Sequence, residues 1–240
     1  MYPEFLNKRW FAWNPSSDTI VALITALIMV GGGYYLLVHL PSENGLKAIY
    51  GLIFTSLLVI FPVWWLLWRQ NGFIKDLGIK KEGLIPSLII SIFITSYFLY
   101  YALSQYSFYG LNLIPHFLTN GLILWEPFFI FSWLQLRFDR AFGIIPGILL
   151  AGISLGAYHW GTYPLSEIIT LALFGMLFAI IFRLTSNLFI MWPLTWSTSS
   201  AVGTLKGGFL LGWDEASLAF IVLLIQIAFI IYVLHKRRSR

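Results

Sequence analysis

The chain has 240 residues, of which 59% are hydrophobic and 10% charged, and its mean hydropathy is +0.81. A soluble domain is roughly half apolar and a quarter charged, so the composition excludes a soluble globular protein and places most of the chain in a lipid bilayer. The net charge is +5, but the basic residues are spread over short loops and the C-terminus, so we expect no nucleic-acid partner. The absence of cysteine excludes disulfides, thiolate metal sites and cysteine nucleophiles.

Apolar runs of about 17 to 25 residues, long enough to cross a bilayer, follow one another along the chain. The predicted runs are 18–40, 47–68, 84–103, 115–137, 143–160, 164–183, 187–203 and 215–235. The run at 187–203 is the shortest and is interrupted by Pro193. The sequence thus predicts an all-α integral membrane protein with about eight transmembrane helices. An N-terminal interfacial segment (1–17), a single polytopic membrane domain (18–235) and a basic tail (236–240) complete the predicted organisation.

The distribution of Lys and Arg predicts the orientation, because these residues are enriched in cytoplasmic loops. If the N-terminus is inside, only Lys47 and Lys206 of the fifteen basic residues fall outside. The other thirteen are Lys8, Arg9, Arg69, Lys75, Lys80, Lys81, Arg137, Arg140, Arg183, Lys236, Arg237, Arg238 and Arg240. This bias predicts that both termini are cytoplasmic, and that the polar segment 71–83 is a cytoplasmic interfacial segment.

Glu126 is the main candidate for a functional residue, because an ionisable group inside the hydrocarbon is costly unless it is paired or hydrated. It precedes Arg137 by eleven residues, or about 16 Å along a helix, which places it near the predicted midplane. Pro127 cannot donate an amide hydrogen bond to the carbonyl of Ile123, so we expect a kink or an open polar spot beside the carboxylate. The alternative is a protonated Glu126 that hydrogen-bonds a neighbouring helix and serves packing alone.

His159 is the second candidate, near the outer end of the predicted fifth span. Gly152 and Gly156 precede it at helical spacing, so a smooth face there is expected to let another helix approach and to bring the imidazole towards Glu126. By helical rise His159 lies about 8 Å beyond Glu126 in depth, a gap that tilt or a bridging water would close. The alternative is that His159 only caps the span.

The predicted seventh span carries Thr195 and Ser199 four residues apart on one face. Hydroxyls on a membrane helix usually bond their own backbone, which is the alternative to a functional role. The remaining histidines, His39, His116 and His235, lie at predicted span ends and are interpreted as interfacial.

Three segments, WEPFFIFSWLQLRFDRAFG, SLGAYHWG and RLTSNLFIMWPLTWSTS, together resemble the CPBP family of intramembrane proteases, which includes the CAAX prenyl endopeptidases and bacteriocin-processing, Abi-like or immunity-linked relatives. The resemblance covers about residues 70–205. The family's first motif is Glu-Glu-x-x-x-Arg followed by a Gln and an Arg-x-Phe-Gly-like end. Here Glu126 matches the first Glu, Gln135 the Gln, and Phe142–Gly143 the end. Pro127 stands at the second Glu and Phe131 at the Arg.

The second family motif, Phe-x-x-x-His, is matched by His159, with Leu155 in place of the Phe. The third, His-x-x-x-Asn, falls on Thr195 and Ser199, so both of its polar side chains are replaced. The resemblance implies a membrane-embedded endopeptidase in which Glu126 activates a water and His159 positions it or stabilises the oxyanion. Gln135, Thr195, Ser199 and Gly156 are then expected to line the cavity.

A zinc mechanism needs about three protein ligands and a water, and only Glu126 and His159 fall within one predicted site. We therefore predict no structural zinc site, and a catalytic zinc held by Glu126 and His159 stays open. The expected partners are the lipid bilayer and a membrane-associated or lipidated peptide, and the expected location is a prokaryotic plasma membrane. The oligomeric state is open, because small-residue faces serve contacts within and between chains alike.

Two other functions remain open on the sequence. The first is an inactive protein of the same fold that serves as a membrane scaffold or binding protein, as the replaced motif residues would allow. The second is a transporter or channel subunit with Glu126 as an ion site, for which the sequence offers no inverted repeat.

Overall fold

The computed structural model describes residues 9–40 and 44–238, with side chains from residue 51 onward in the second range. The protein is 81% helical, and the described residues form no strand. The first eight residues of the predicted N-terminal segment and the last two of the basic tail lie outside the described residues. The α-helices are α1 (Ser17–Tyr34), α2 (Asn44–Trp64), α3 (Leu84–Tyr106), α4 (Leu113–Leu122), α5 (Trp125–Pro127), α6 (Leu136–Phe142), α7 (Ile144–Tyr158), α8 (Leu165–Arg183), α9 (Leu194–Lys206) and α10 (Trp213–Arg238).

Shorter helical segments extend or connect these helices. Tyr35–His39, Trp65–Arg69 and Phe128–Gln135 are π-helical, and Ile74–Leu77, Ser107–Asn112 and Leu188–Ile190 are 3₁₀-helical. The π-helical segment Phe128–Gln135 joins α5 to α6 without a break in the helix.

Five helical stretches in the described part of the chain are long and apolar enough to cross a membrane. They are Ser17–His39, Gly51–Arg69, Leu84–Phe142, Leu165–Arg183 and Trp213–Arg238. The stretch Leu84–Phe142, 59 residues long, contains both the third and the fourth predicted runs. The fifth predicted run forms α7, a shorter apolar helix. The predicted class, a helical protein with several membrane-spanning helices, is therefore confirmed.

The seventh predicted run, 187–203, does not form one helix. A 3₁₀ turn at Leu188–Ile190 precedes Pro193, and α9 begins only at Leu194. Pro193 lacks the amide hydrogen that a continuous helix would need at that point. The resulting α9 has 13 residues, about 20 Å of helix against a hydrocarbon core about 30 Å thick.

The described chain divides into two compact units. Of the described residues, the first comprises 9–40, 44–58 and 128–186, and the second comprises 59–127 and 187–238. In the first unit, α7 packs against α1, α6, α8 and the π-helical segment Phe128–Gln135. In the second unit, α4 packs against α9 and α10, and α3 packs against α9.

Glycines set the close approach of α7 and α8 in the first unit. A Cβ on Gly152 would lie 2.4 Å from Cγ of Met176 and 2.7 Å from the carbonyl oxygen of Ala172. A Cβ on Gly156 would lie 2.6 Å from the carbonyl oxygen of Ile168. The predicted small-residue face is confirmed, and the helix that it admits is α8.

The segment before α1 is fastened to the corner between α6 and α7. The amide of Ala12 donates to the carbonyl of Phe142 at 2.8 Å, and that of Ile145 donates to Trp10 at 3.1 Å. Gly143 has φ +92°, and a Cβ there would lie 2.8 Å from the carbonyl oxygen of Trp10. Glycine is therefore required at this corner, both for its conformation and for the close passage of the N-terminal segment.

Two arginines that the sequence analysis counted as cytoplasmic loop charges are buried in the first unit. Arg183 is 5% exposed and forms an ion pair with Asp139, which is 8% exposed. Arg137 is 2% exposed, and its Nη1 donates to the carbonyl of Ser132 at 3.0 Å. Both arginines lie within helices, in α6 and α8, and their burial is possible because the fold supplies their partners.

We expect Gly152→Ala to lower the midpoint of thermal unfolding in detergent, because overpacking of a tight helix contact costs about 1–3 kcal/mol. Gly31→Ala is the matched control, since Gly31 also lies within a helix of the first unit and has open space around its Cβ position. Equal midpoints for the two variants would show that the α7–α8 contact does not require glycine.

We expect Asp139→Asn to destabilise the protein by about 3–5 kcal/mol, because it leaves the buried guanidinium of Arg183 without its carboxylate. Asp214→Asn, at an exposed position in the first turn of α10, is the control and should cost at most about 1 kcal/mol. Unfolding titrations with a denaturing detergent compare the two, and a similar small cost in both variants would contradict the structural role of the ion pair.

Candidate functional site

Glu126 follows a complete interruption between two helices. Helix α4 ends at Leu122, Ile123 is extended with ψ 99°, and α5 begins at Trp125. Pro127 lies in the first turn of the new helix. The backbone amides of a first turn have no acceptor within the helix, so proline removes no helical hydrogen bond there. The predicted kink beside Glu126 is confirmed, and it is a full break in the helix.

The carboxylate of Glu126 is half-buried and is held by an indole. Nε1 of Trp196 donates to Oε2 of Glu126 at 3.1 Å, and Trp196 itself is 5% exposed. Trp196 lies in the first turn of α9, in the same compact unit as Glu126. A donor fixed by packing fixes the orientation of the carboxylate.

The sequence analysis missed Trp196, although it selected Thr195 and Ser199 from the same helix. The available signal was the indole itself, because a buried tryptophan N–H usually finds an acceptor. Neither spacing nor hydropathy identifies that acceptor as Glu126, seventy residues earlier in the chain.

His159 lies at the C-terminal end of α7, in the first unit. Its Nδ1 is 2.9 Å from the carbonyl oxygen of Leu155, and its ring packs edge-on against Tyr158 and tilted against Tyr163. A carbonyl only accepts, so Nδ1 carries the proton and Nε2 of the neutral ring is an acceptor. The ring therefore caps its own helix through Nδ1.

The glycine face of α7 is occupied by α8, so it accounts for packing within the first unit. His159 belongs to that unit and Glu126 to the second. The approach of His159 to Glu126 therefore stays a prediction.

The other side chains expected to line a cavity take part in packing contacts. Oγ1 of Thr195 is 2.9 Å from Oγ of Ser91 in the buried contact between α3 and α9. Ser199 donates to the carbonyl of Trp196 at 2.9 Å, as expected for a hydroxyl on a membrane helix. Gln135 is fully buried in the first unit and donates to the carbonyl of Ala179 at 2.8 Å.

His116 is a second residue that the sequence analysis undervalued. Interpreted as interfacial, it is 0% exposed in the second unit. Its Nε2 lies 2.9 Å from the carbonyl oxygen of Ala201, and its Nδ1 accepts from the amide of Leu211 at 3.0 Å. Both ring nitrogens are therefore satisfied by the neutral form, and the ring joins α4 to α9 and to the segment before α10.

No three His, Cys, Asp or Glu side chains are grouped to hold a metal ion within residues 9–40 and 44–238. The donor set does not fit the three protein ligands of a zinc site, so no step below is assigned to a metal. Compared with protein-family models, curated proteins and solved structures, the chain matches none of them.

We expect a double-mutant cycle between Glu126→Ala and Trp196→Phe to reveal a coupling free energy of about 1.5–3 kcal/mol, the range for a hydrogen bond to a charged group. The cycle separates this bond from the other contacts of each residue. Additive effects on the free energy of unfolding would show that the indole does not hold the carboxylate.

Proposed function

We propose that this chain is an intramembrane endopeptidase of the CPBP type, with about eight spans and both termini in the cytoplasm of a prokaryotic cell. One observation carries the proposal: the half-buried carboxylate of Glu126 begins a new helix after a break and is oriented by the indole of Trp196. An oriented carboxylate in an apolar environment is suited to serve as a general base. The expected substrate is a membrane-associated or lipidated peptide.

In the proposed reaction, Glu126 removes a proton from a water as that water attacks the peptide carbonyl. The same proton then passes from Glu126 to the amine that leaves. The role of His159 is to position the water through Nε2, because its Nδ1 proton is committed to the carbonyl of Leu155. Of the two roles that the sequence left open for the imidazole, positioning group or oxyanion donor, the proposal takes the first.

A second function, an inactive scaffold or binding protein of the same fold, is favoured by one specific contact. Thr195 stands where the resemblance expects a histidine, and its hydroxyl is buried against Ser91. A packing contact at that position supplies no catalytic group there, which favours a protein of this fold that binds a peptide or lipid without cutting it.

We expect Glu126→Gln to reduce peptide cleavage by at least about 10²-fold, the contribution of a general base, while leaving the fold intact. The purified protein is reconstituted in liposomes with prenylated and unmodified peptides, and products are followed by mass spectrometry. Glu167→Gln, at an exposed glutamate in the first turn of α8, is the matched control and should retain full activity.

His159→Ala is compared in the same assay with His39→Ala, an exposed histidine at the end of the first membrane-spanning stretch. Loss of cleavage in both Glu126→Gln and His159→Ala, but in neither control, supports the endopeptidase. Undiminished cleavage by Glu126→Gln would falsify the catalytic assignment. Peptide binding by wild type with no cleavage of any peptide would favour the scaffold.

A further inference from the structure

Seven basic side chains of the second unit belong to two chain segments that meet where membrane-spanning stretches end. We call these residues the basic surface: Arg69, Lys75, Lys80, Lys81, Lys236, Arg237 and Arg238. Five of them are exposed, and Lys80 and Arg237 are half-buried. Within residues 69–82 and 236–238 the only acidic residues are Asp76 and Glu82, so the surface carries a marked excess of positive charge.

Hydrogen bonds to the backbone join the two segments. The guanidinium of Arg237 donates to the carbonyls of Gly72 and Asn71, the latter at 2.7 Å. Near the other end of the segment 69–82, Nδ2 of Asn187 donates to the carbonyl of Lys80 at 2.8 Å. The amide of Leu188 donates to the carbonyl of Gly78 at 2.8 Å. The backbone of the segment 71–80 is thus held near both ends, which keeps its basic residues close to those of the C-terminal segment.

An exposed aromatic ring lies between two of these cations. Phe73 is 58% exposed, with Nζ of Lys75 5.3 Å and the guanidinium of Arg237 5.2 Å from its ring centroid. Nζ of Lys236 lies 5.6 Å from the ring centroid of Trp68. Cations beside exposed aromatic rings combine the two groups that favour the headgroup region, since rings enter the interface and cations attract phosphates.

The position of the surface along the helices identifies the partner. The stretch Gly51–Arg69 ends at this surface, Trp213–Arg238 ends there, and Leu84–Phe142 begins just after Lys81. Basic clusters directly beside the ends of membrane-spanning helices attract anionic lipid headgroups. We propose that the basic surface binds the headgroups of anionic phospholipids in the adjacent leaflet, with the ring of Phe73 at the level of the headgroups. This proposal is independent of the peptidase activity.

The test uses the full chain in neutral detergent, with phosphatidylglycerol or phosphatidylcholine titrated in and bound lipid counted by native mass spectrometry. Wild type should retain phosphatidylglycerol in preference to phosphatidylcholine. Lys75→Gln and Lys236→Gln should each weaken phosphatidylglycerol binding about fivefold, the effect of one charge near an anionic surface, and leave phosphatidylcholine binding unchanged.

Lys206→Gln is a closely matched control, because Lys206 is also an exposed lysine over an aromatic ring, 5.0 Å from the ring centroid of Tyr101. It should bind phosphatidylglycerol as wild type does. Equal retention of the two lipids by wild type, or an equal loss in Lys206→Gln, overturns the proposal. Displacement of the lipid by millimolar inorganic phosphate also overturns it, since the surface would then be a simple anion site.

Discussion

Polar groups buried in a chain this apolar must find hydrogen-bond partners within the protein, because hydrocarbon offers none and each unsatisfied group costs several kcal/mol. In the first unit, a short chain of contacts supplies such partners for some of the buried polar groups. Nε1 of Trp133 donates to Oγ1 of Thr25 at 2.9 Å, and Thr25 donates to the carbonyl of Ala22 at 3.0 Å. The guanidinium of Arg137 lies 4.1 Å from the ring centroid of Trp133, so a buried cation rests on the face of a ring whose N–H is already used.

The π-helical segment Phe128–Gln135 follows directly after the short helix α5 in the chain. A π-helix shifts its hydrogen bonds by one residue, and it often marks a functional position within a longer helix. The guanidinium of Arg137 donates to the carbonyl of Ser132, so a buried side chain supplies a donor to the backbone of this segment. One continuous helical stretch has Glu126 in its first turn and Asp139, which pairs with Arg183, near its other end.

Hydropathy and proline chemistry predicted a large part of this architecture. The positions of the long apolar helices follow from run length alone, and the break before Glu126 follows from the missing amide hydrogen of Pro127. The close approach of α7 to another helix follows from the spacing of Gly152 and Gly156. Each of these signals is local, because it depends on residues within a few turns of one another.

The features that escaped prediction depend on pairs that are distant in the chain. Trp196 hydrogen-bonds Glu126, and Asp139 forms an ion pair with Arg183. No periodic pattern in the sequence predicts either contact. His116 was interpreted from its position near a span end, although its burial depends on acceptors and donors that α9 and the following segment supply. The sequence of a membrane protein therefore shows which polar residues are costly to bury. It does not show which residues become their hydrogen-bond partners, because those partners are brought together only by the fold.

The burial of Arg137 and Arg183 also changes what the charge count means. Charge bias orients a membrane protein through cations in short loops near the ends of spans. Arg137 and Arg183 are buried and interact with groups inside the protein, so they are weaker indicators of orientation than cations in loops. Without them, eleven basic residues still stand against two, and most of the eleven belong to the basic surface around Phe73. The charges that support a cytoplasmic orientation are thus largely the charges proposed to hold anionic lipid, so one electrostatic feature supports both proposals.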